Sequence, residues 1–331
     1  MSDSIGSPGL WAGFILFVLA MLALDLGLFH RKAHAVGFRE GAVWSLVWVT
    51  LALLFNAGVW WLSGPERGFE FLAGYLIEKS LSVDNIFVFV VIFSALRIPA
   101  VYQHRVLFWG ILSALVFRAA MIFAGAAMLA RFHWLIYVFG GFLILTGTKL
   151  FLERGKESHP EESWAMRWAR RLIPTTDTLD AHRFFTRGDG KLLATPLLMA
   201  LIMVEITDVV FAVDSIPAIF AVTSDTFIVF TSNIFAILGL RSLFFLLAGS
   251  IDKFRYLKIG LAGVLVFVGA KMALADVYKL SPLASLCVIG VLLGASVVAS
   301  MVASRRGAPP PSDRRSRPSS RARRVARVSG Y

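Results

Sequence analysis

Nine apolar runs, each long enough to cross a bilayer, constrain this chain more than anything else in it. They fall at roughly 9–29, 41–62, 69–95, 105–129, 133–152, 195–222, 226–250, 255–275 and 281–303, where about 20 apolar residues suffice for a spanning helix. The expected fold class is therefore an all-α polytopic membrane protein with about nine transmembrane helices. Hydrophobic residues make up 57% of the chain and charged ones only 16%, as such a fold requires. Pro8 and Gly9 precede the first run, which lacks a basic leader and a small-residue cleavage site, so it reads as an anchor.

A net charge of +12 suggests nucleic acid in a soluble protein, but its distribution gives another reading. With nine crossings, 25 of the 33 basic residues fall on one side of the membrane, three on the other and five inside the spans. The positive-inside rule then places the N-terminus outside and the C-terminus in the cytoplasm. No nucleic-acid partner is expected. The single cysteine, Cys287, excludes an intrachain disulfide and a multi-cysteine metal site.

The spans repeat an unusual pattern. Glu78-Lys79-Ser80-Leu81-Ser82-Val83-Asp84-Asn85 is matched by Asp208-Val209-Val210-Phe211-Ala212-Val213-Asp214-Ser215. Arg118 follows the first copy as Arg241 follows the second, and Lys149 and Lys271 follow in turn, each in Gly-x-Lys. Each copy holds three helices. An odd number forces the second to enter from the opposite side, the inverted repeat of many secondary transporters. The division is 1–68 (two helices), 69–152 (first repeat), 153–194 (cytoplasmic connector), 195–275 (second repeat), 276–303 (last helix) and 304–331 (tail). In the connector, Trp164 and Trp168 share a helical face beside Arg167 and Arg171, which suits either a helix at the lipid headgroups or a solvated one. The tail, with Pro309-Pro310-Pro311 and many arginines, cannot build a core and reads as disordered.

Setting aside charges at the starts of the runs, six acids (Asp25, Glu78, Asp84, Glu205, Asp208, Asp214) and five bases (Lys79, Arg118, Lys149, Arg241, Lys271) lie within the spans. Facing lipid, they would cost about 30 kcal/mol together, so they must face one another or a wet cavity. They form either structural ion pairs or a pathway. Glu78, Ser82 and Asn85 share one helix face, as do Asp208 and Ser215; Asp84 and Asp214 point about 100° away on a continuous helix. Pro217 frees the carbonyl of Val213, and a helix broken there would turn Asp214 toward a bound ion. The candidate metal-handling residues are Glu78, Asp84, Asn85, Glu205, Asp208, Asp214 and Ser215, with Arg118, Lys149, Arg241 and Lys271 as buried basic partners. All are oxygen donors without central His or Cys, which favours Mg²⁺, Ca²⁺ or Mn²⁺ over zinc and copper.

The stretches at 78–85 and 205–223, Asn233-Ile234-Phe235-Ala236-Ile237-Leu238-Gly239-Leu240-Arg241, and the early Arg31-Lys32-Ala33-His34 resemble the TerC/Alx family of integral membrane proteins over roughly residues 10–280. The resemblance implies a two-repeat helical fold related to the LysE-type exporters, manganese efflux, and metal handling at positions 78, 84, 205, 208 and 214. The family name comes from tellurium resistance, whose chemistry these residues do not display. The expected function is secondary-active export of divalent cations, Mn²⁺ foremost, since no P-loop is present, with protons as counter-ion. The metal is cargo, no resident cofactor is needed, and the partners are the ion and membrane lipid. The alternatives are a Ca²⁺ or Mg²⁺ transporter, or a membrane scaffold whose charges are structural. No nucleophile constellation or His-Glu-x-x-His supports an enzyme.

Overall fold

The computed structural model of the protein describes residues 4–29, 37–152, 171, 174–176, 179–180, 183–188, 191–248, 256–278 and 280–305. The Trp164/Trp168 segment, the Arg31–His34 stretch, the side chain of Asp25 and nearly all of the tail lie outside the described residues.

The elements in chain order are α1 (Pro8–Phe29), α2 (Phe38–Ser63), α3 (Pro65–Ala95), α4 (Ala100–Arg131), α5 (Leu135–Leu152), β1 (Phe185–Gly188), β2 (Lys191–Ala194), α6 (Pro196–Phe220), α7 (Thr226–Leu238), α8 (Leu240–Leu247), α9 (Leu257–Ala273) and α10 (Pro282–Arg305). Each of the nine apolar runs lies on one of these helices, except 226–250, which is divided between α7 and α8. Among the described residues, five helices are long and apolar enough to cross a membrane, or six if the α7–α8 pair, bent by 41°, is one span. At 31 residues α3 is long enough, but it carries Glu78, Lys79 and Asp84 around its middle. The antiparallel hairpin β1–β2 in the connector has no counterpart in the sequence reading.

Local chemistry sets the helix ends. Gly64 alone joins α2 to α3; its φ of +90° is a conformation that a side chain resists. Pro65 then opens α3, as Pro196 opens α6, at positions where a missing N–H costs nothing. Asp225 caps α7 by accepting the N–H groups of Phe227 and Ile228, which satisfies two of its orphan donors.

The polarity of the molecule is inverted relative to a soluble protein. Leu16, Trp61, Leu145, Leu152 and Val291 are exposed on the outside, while Glu78, Asn85, Arg118, Asp208 and Asn233 are buried. This arrangement suits hydrocarbon as the outer solvent. Helix α3 is the hub, packing on α2, α6, α7, α9 and α10. An aromatic cluster of Phe14, Phe55, Phe71, Phe227 and Phe235 fastens α1 and α2 to α3 and α7. The most extensive helix pair is α5 with α9, which cross antiparallel through glycine. A Cβ on Gly140 would stand 2.9 Å from the carbonyl oxygen of Gly269, and one on Gly147 2.8 Å from that of Ala262. Small residues at a crossing let backbones meet where lipid offers no hydrophobic drive between helices.

Candidate functional site

The middle of the bundle is organised by one arginine. Arg118, 1% exposed, lies on α4 and reaches across to α6, where Nε and Nη2 donate to Asp208 Oδ2 and Oδ1 at 3.0 and 2.8 Å. That forked geometry is the strong form of a guanidinium–carboxylate pair. Its Nη1 donates to Glu78 of α3 and lies 3.4 Å from both Ser215 Oγ of α6 and Asn233 Oδ1 of α7. Asn233 Nδ2 donates to Glu78 Oε2 at 3.0 Å, and Asn85 Nδ2 to Asp208 Oδ1 at 3.3 Å. Four helices are thus joined through one polar knot near their midpoints. Such a knot is strongly destabilised by loss of any single charge.

One turn before Asp208 on α6 stands Glu205. Both of its carboxylate oxygens are buried and accept no hydrogen bond. It packs against Gly110 of α4, where a Cβ would lie 3.5 Å from Oε1. The nearby Ser113 hydroxyl is donated to the carbonyl of Trp109 instead. Asn85 Oδ1 and Ser82 Oγ are likewise buried without partners. A small cavity lined by Phe89, Gly110, Ala114, Val204 and Asp208 lies beside the knot at Asp208. The centre therefore holds unpartnered oxygen acceptors beside a knot containing two acids and one base.

The remaining predicted residues lie elsewhere. Asp84, on another face of α3, stands 3.3 Å from Lys258 Nζ of α9, and that ammonium also lies 5.1 Å from the centroid of the Phe87 ring. Asp214 turns toward Thr146 and Lys149 of α5. Helix α6 runs through Pro217 without a break, so Asp214 is not redirected to the centre. The physical reason is position: Pro217 sits in the last turn, where one lost backbone bond costs little. Lys271 donates to Ser285 of α10 at 2.9 Å, so Lys149 and Lys271 have different surroundings. Arg241 is buried at the start of α8 and makes none of the bonds of the central knot.

The structure thus brings together Glu78, Asn85, Arg118, Asp208 and Ser215, with Glu205 adjoining, and leaves Asp84, paired with Lys258, and Asp214, near Thr146 and within electrostatic range of Lys149, outside that group. Among the described residues, no group of three or more His, Cys, Asp or Glu side chains is gathered as a metal cage. Sequence reasoning missed Asn233, whose signal was an amide in an apolar run, and Lys258, which had been counted with the loop charges.

Comparison with known proteins follows from this geometry. The profile of the Integral membrane protein TerC family matches residues 63–308. The chain is 72% identical over 302 residues to "Uncharacterized membrane protein STKORF319" of Myxococcus xanthus, covering 91% of this chain and 95% of that one. It is 50% identical over 301 residues to "Putative membrane-bound redox modulator Alx" of Escherichia coli strain K12, covering 88% and 94%. A protein of the same name from Salmonella typhi is 50% identical over 305 residues, covering 89% and 95%. No solved structure matches the chain.

Proposed function

The chain belongs to the TerC family of integral membrane proteins, and from that premise we propose that it is a secondary-active exporter of divalent cations, with Mn²⁺ as its main cargo. The observation that carries the reading is the charge balance at the centre. Glu78, Asp208 and Glu205, when ionised, bring three negative charges to the single positive charge of Arg118. Two negative charges remain, which one divalent cation offsets. Glu205, Asn85 and Ser82 offer unpartnered oxygens for it, the ligand type that Mn²⁺, Mg²⁺ and Ca²⁺ share. Glu78 and Asp208 then act chiefly by holding Arg118, and Asp84 and Asp214 serve as acid–lysine stations to either side.

The inverted-repeat, nine-span reading belongs to this proposal. It is supported by the α5–α9 crossing. Matching Lys149 to Lys271 also matches Gly147 to Gly269, Gly140 to Ala262 and Ile144 to Val266. The contacts of Gly147 with Ala262 and Val266 then reappear as those of Gly269 with Gly140 and Ile144, as a two-fold axis in the membrane plane requires. In this arrangement the N-terminus is outside and the C-terminus in the cytoplasm of a bacterial inner membrane. The name redox modulator carried by the Alx relatives does not suggest thiol chemistry in a chain with one cysteine. Under this reading a redox effect follows indirectly, from control of a redox-active metal.

A second reading, a scaffold whose charges are structural, is favoured by the saturation of Arg118. Uptake into inverted membrane vesicles, with Mn²⁺, Mg²⁺ and Ca²⁺ in competition, separates the readings. Mn²⁺ accumulation that tenfold Mg²⁺ does not abolish supports the exporter; no uptake of any of the three favours the scaffold.

A further inference from the structure

The membrane lysines pair in different ways. Lys258 faces Asp84, Lys149 faces Asp214, and Lys271 donates to Ser285 with Glu70 in range. Lys79 differs from all three. Among the described residues no carboxylate answers it, and its hydrogen bond goes to a backbone oxygen, that of Ala236, at 3.4 Å. An ammonium inside a membrane protein is costly, so what it meets among the described residues, which exclude the Asp25 side chain, is informative.

Ala236 lies in the last turn of α7, where the final carbonyls lack intrahelical donors and the aligned peptide dipoles sum to about half a negative charge. The helix stops there because α7 and α8 meet at Gly239 with a 41° bend. A Cβ on Gly239 would lie 2.7 Å from Lys79 Nζ and 3.2 Å from Trp48 Cβ. The ammonium therefore occupies the bend itself, in space that only glycine leaves open. Nothing comparable occurs among the described residues of the first half of the chain. Matching Arg118 to Arg241 places Val116 where Gly239 stands, and α4 passes through Val116 unbroken for 32 residues. Matching Glu78 to Asp208 places Val209 where Lys79 stands. The bend, the glycine and the lysine occur together, once.

We propose that the α7–α8 bend is a binding site for a small monovalent cation, filled in the native protein by the chain's own primary ammonium on Lys79. Lys79 acts here as a positioning residue. By neutralising the end of α7 it fixes the bend, and with it the aim of Asn233, one turn back, at Glu78 and Arg118. This inference does not rest on the export reading, because its test measures stability.

The experiment is thermal melting of the purified full-length protein in detergent, with methylammonium chloride as the probe and sodium chloride and tetramethylammonium chloride as controls. Lys79→Ala lowers Tm by about 0.5–3 °C, the range that helix-end charge compensation gives a protein of this size. Methylammonium raises the Tm of this variant but not that of the wild type, and tetramethylammonium, too large for the bend, does not. Lys79→Gln, which keeps a donor without the charge, loses stability and is not rescued. Gly239→Ala, whose methyl group displaces the ammonium, melts lower as well, and it decides the matter if Lys79→Ala does not accumulate. The proposal is overturned if Lys79→Gln or Gly239→Ala melts like the wild type. It is equally overturned if Lys79→Ala loses stability with no response to methylammonium, since the lysine would then be packing alone.

Discussion

Arg118 is the residue on which the centre turns, because two buried carboxylates depend on one guanidinium. Replacing it with alanine leaves Glu78 and Asp208 uncompensated, at a cost of about 3–5 kcal/mol. Arg118→Lys recovers only part of this, since a point ammonium cannot make the fork to both oxygens of Asp208. The check is melting of both variants in detergent, with the order wild type, lysine, alanine; an alanine variant as stable as the wild type would remove the knot's structural role. Much of this was legible in the sequence. The spacing of Glu78, Ser82 and Asn85 put them on one face, and all three are buried. Which base would answer which acid was not legible, because pairing across helices depends on crossing geometry that no single span encodes. That is why Lys258 and Asn233 escaped notice.

At the scale of the element, glycine carries information that the charges obscure. Gly-x-Lys drew attention for its lysine, yet Gly147 and Gly269 are what allow α5 and α9 to touch. A Cβ at position 269 would lie 2.6 Å from the carbonyl oxygen of Gly140, and backbone cannot yield as a flexible side chain can. Gly269→Ala therefore destabilises by roughly 1–3 kcal/mol, the usual cost of overpacking. Gly141→Ala, where nothing lies within 4 Å, is the neutral control. Melting of the two variants side by side tests this, and equal Tm values would mean that the crossing is looser than drawn. Helix continuity was misjudged in both places where it matters. Proline at 217 is absorbed by the last turn of α6, while the chain bends at Gly239, beside Lys79 and Trp48. Glycine alone is too weak a signal to mark a bend inside an apolar run.

At the scale of the whole molecule, the apolar runs located the helices because hydrocarbon leaves the backbone few alternatives. The hairpin β1–β2 was not legible, being a short element in a polar connector without strong alternation. In the proposed topology, orientation rests on many basic residues and not on the arginine tail alone. Removing residues 306–331 should leave insertion and transport within about twofold of the full chain, since the other cytoplasmic loops keep their charge excess. Vesicle uptake by the truncated protein checks this, and a truncated protein that inserts but no longer transports would give the tail a role absent from this account.

On the export reading, the unpartnered acid beside the Arg118 knot, Glu205, handles a divalent ion in exchange for protons. The most direct measurement is Mn²⁺ uptake by inverted vesicles given an acid lumen, comparing the wild type with Glu205→Gln. Metal arriving at a crowded acid site favours the ionised carboxylates and displaces protons, so a proton gradient should drive uptake and a protonophore should collapse it. Glu205→Gln should lose that uptake while melting no lower than the wild type, because the carboxylate it removes accepts no hydrogen bond. Wild-type vesicles that accumulate no Mn²⁺, or a glutamine variant that accumulates it at the full rate, would contradict the account.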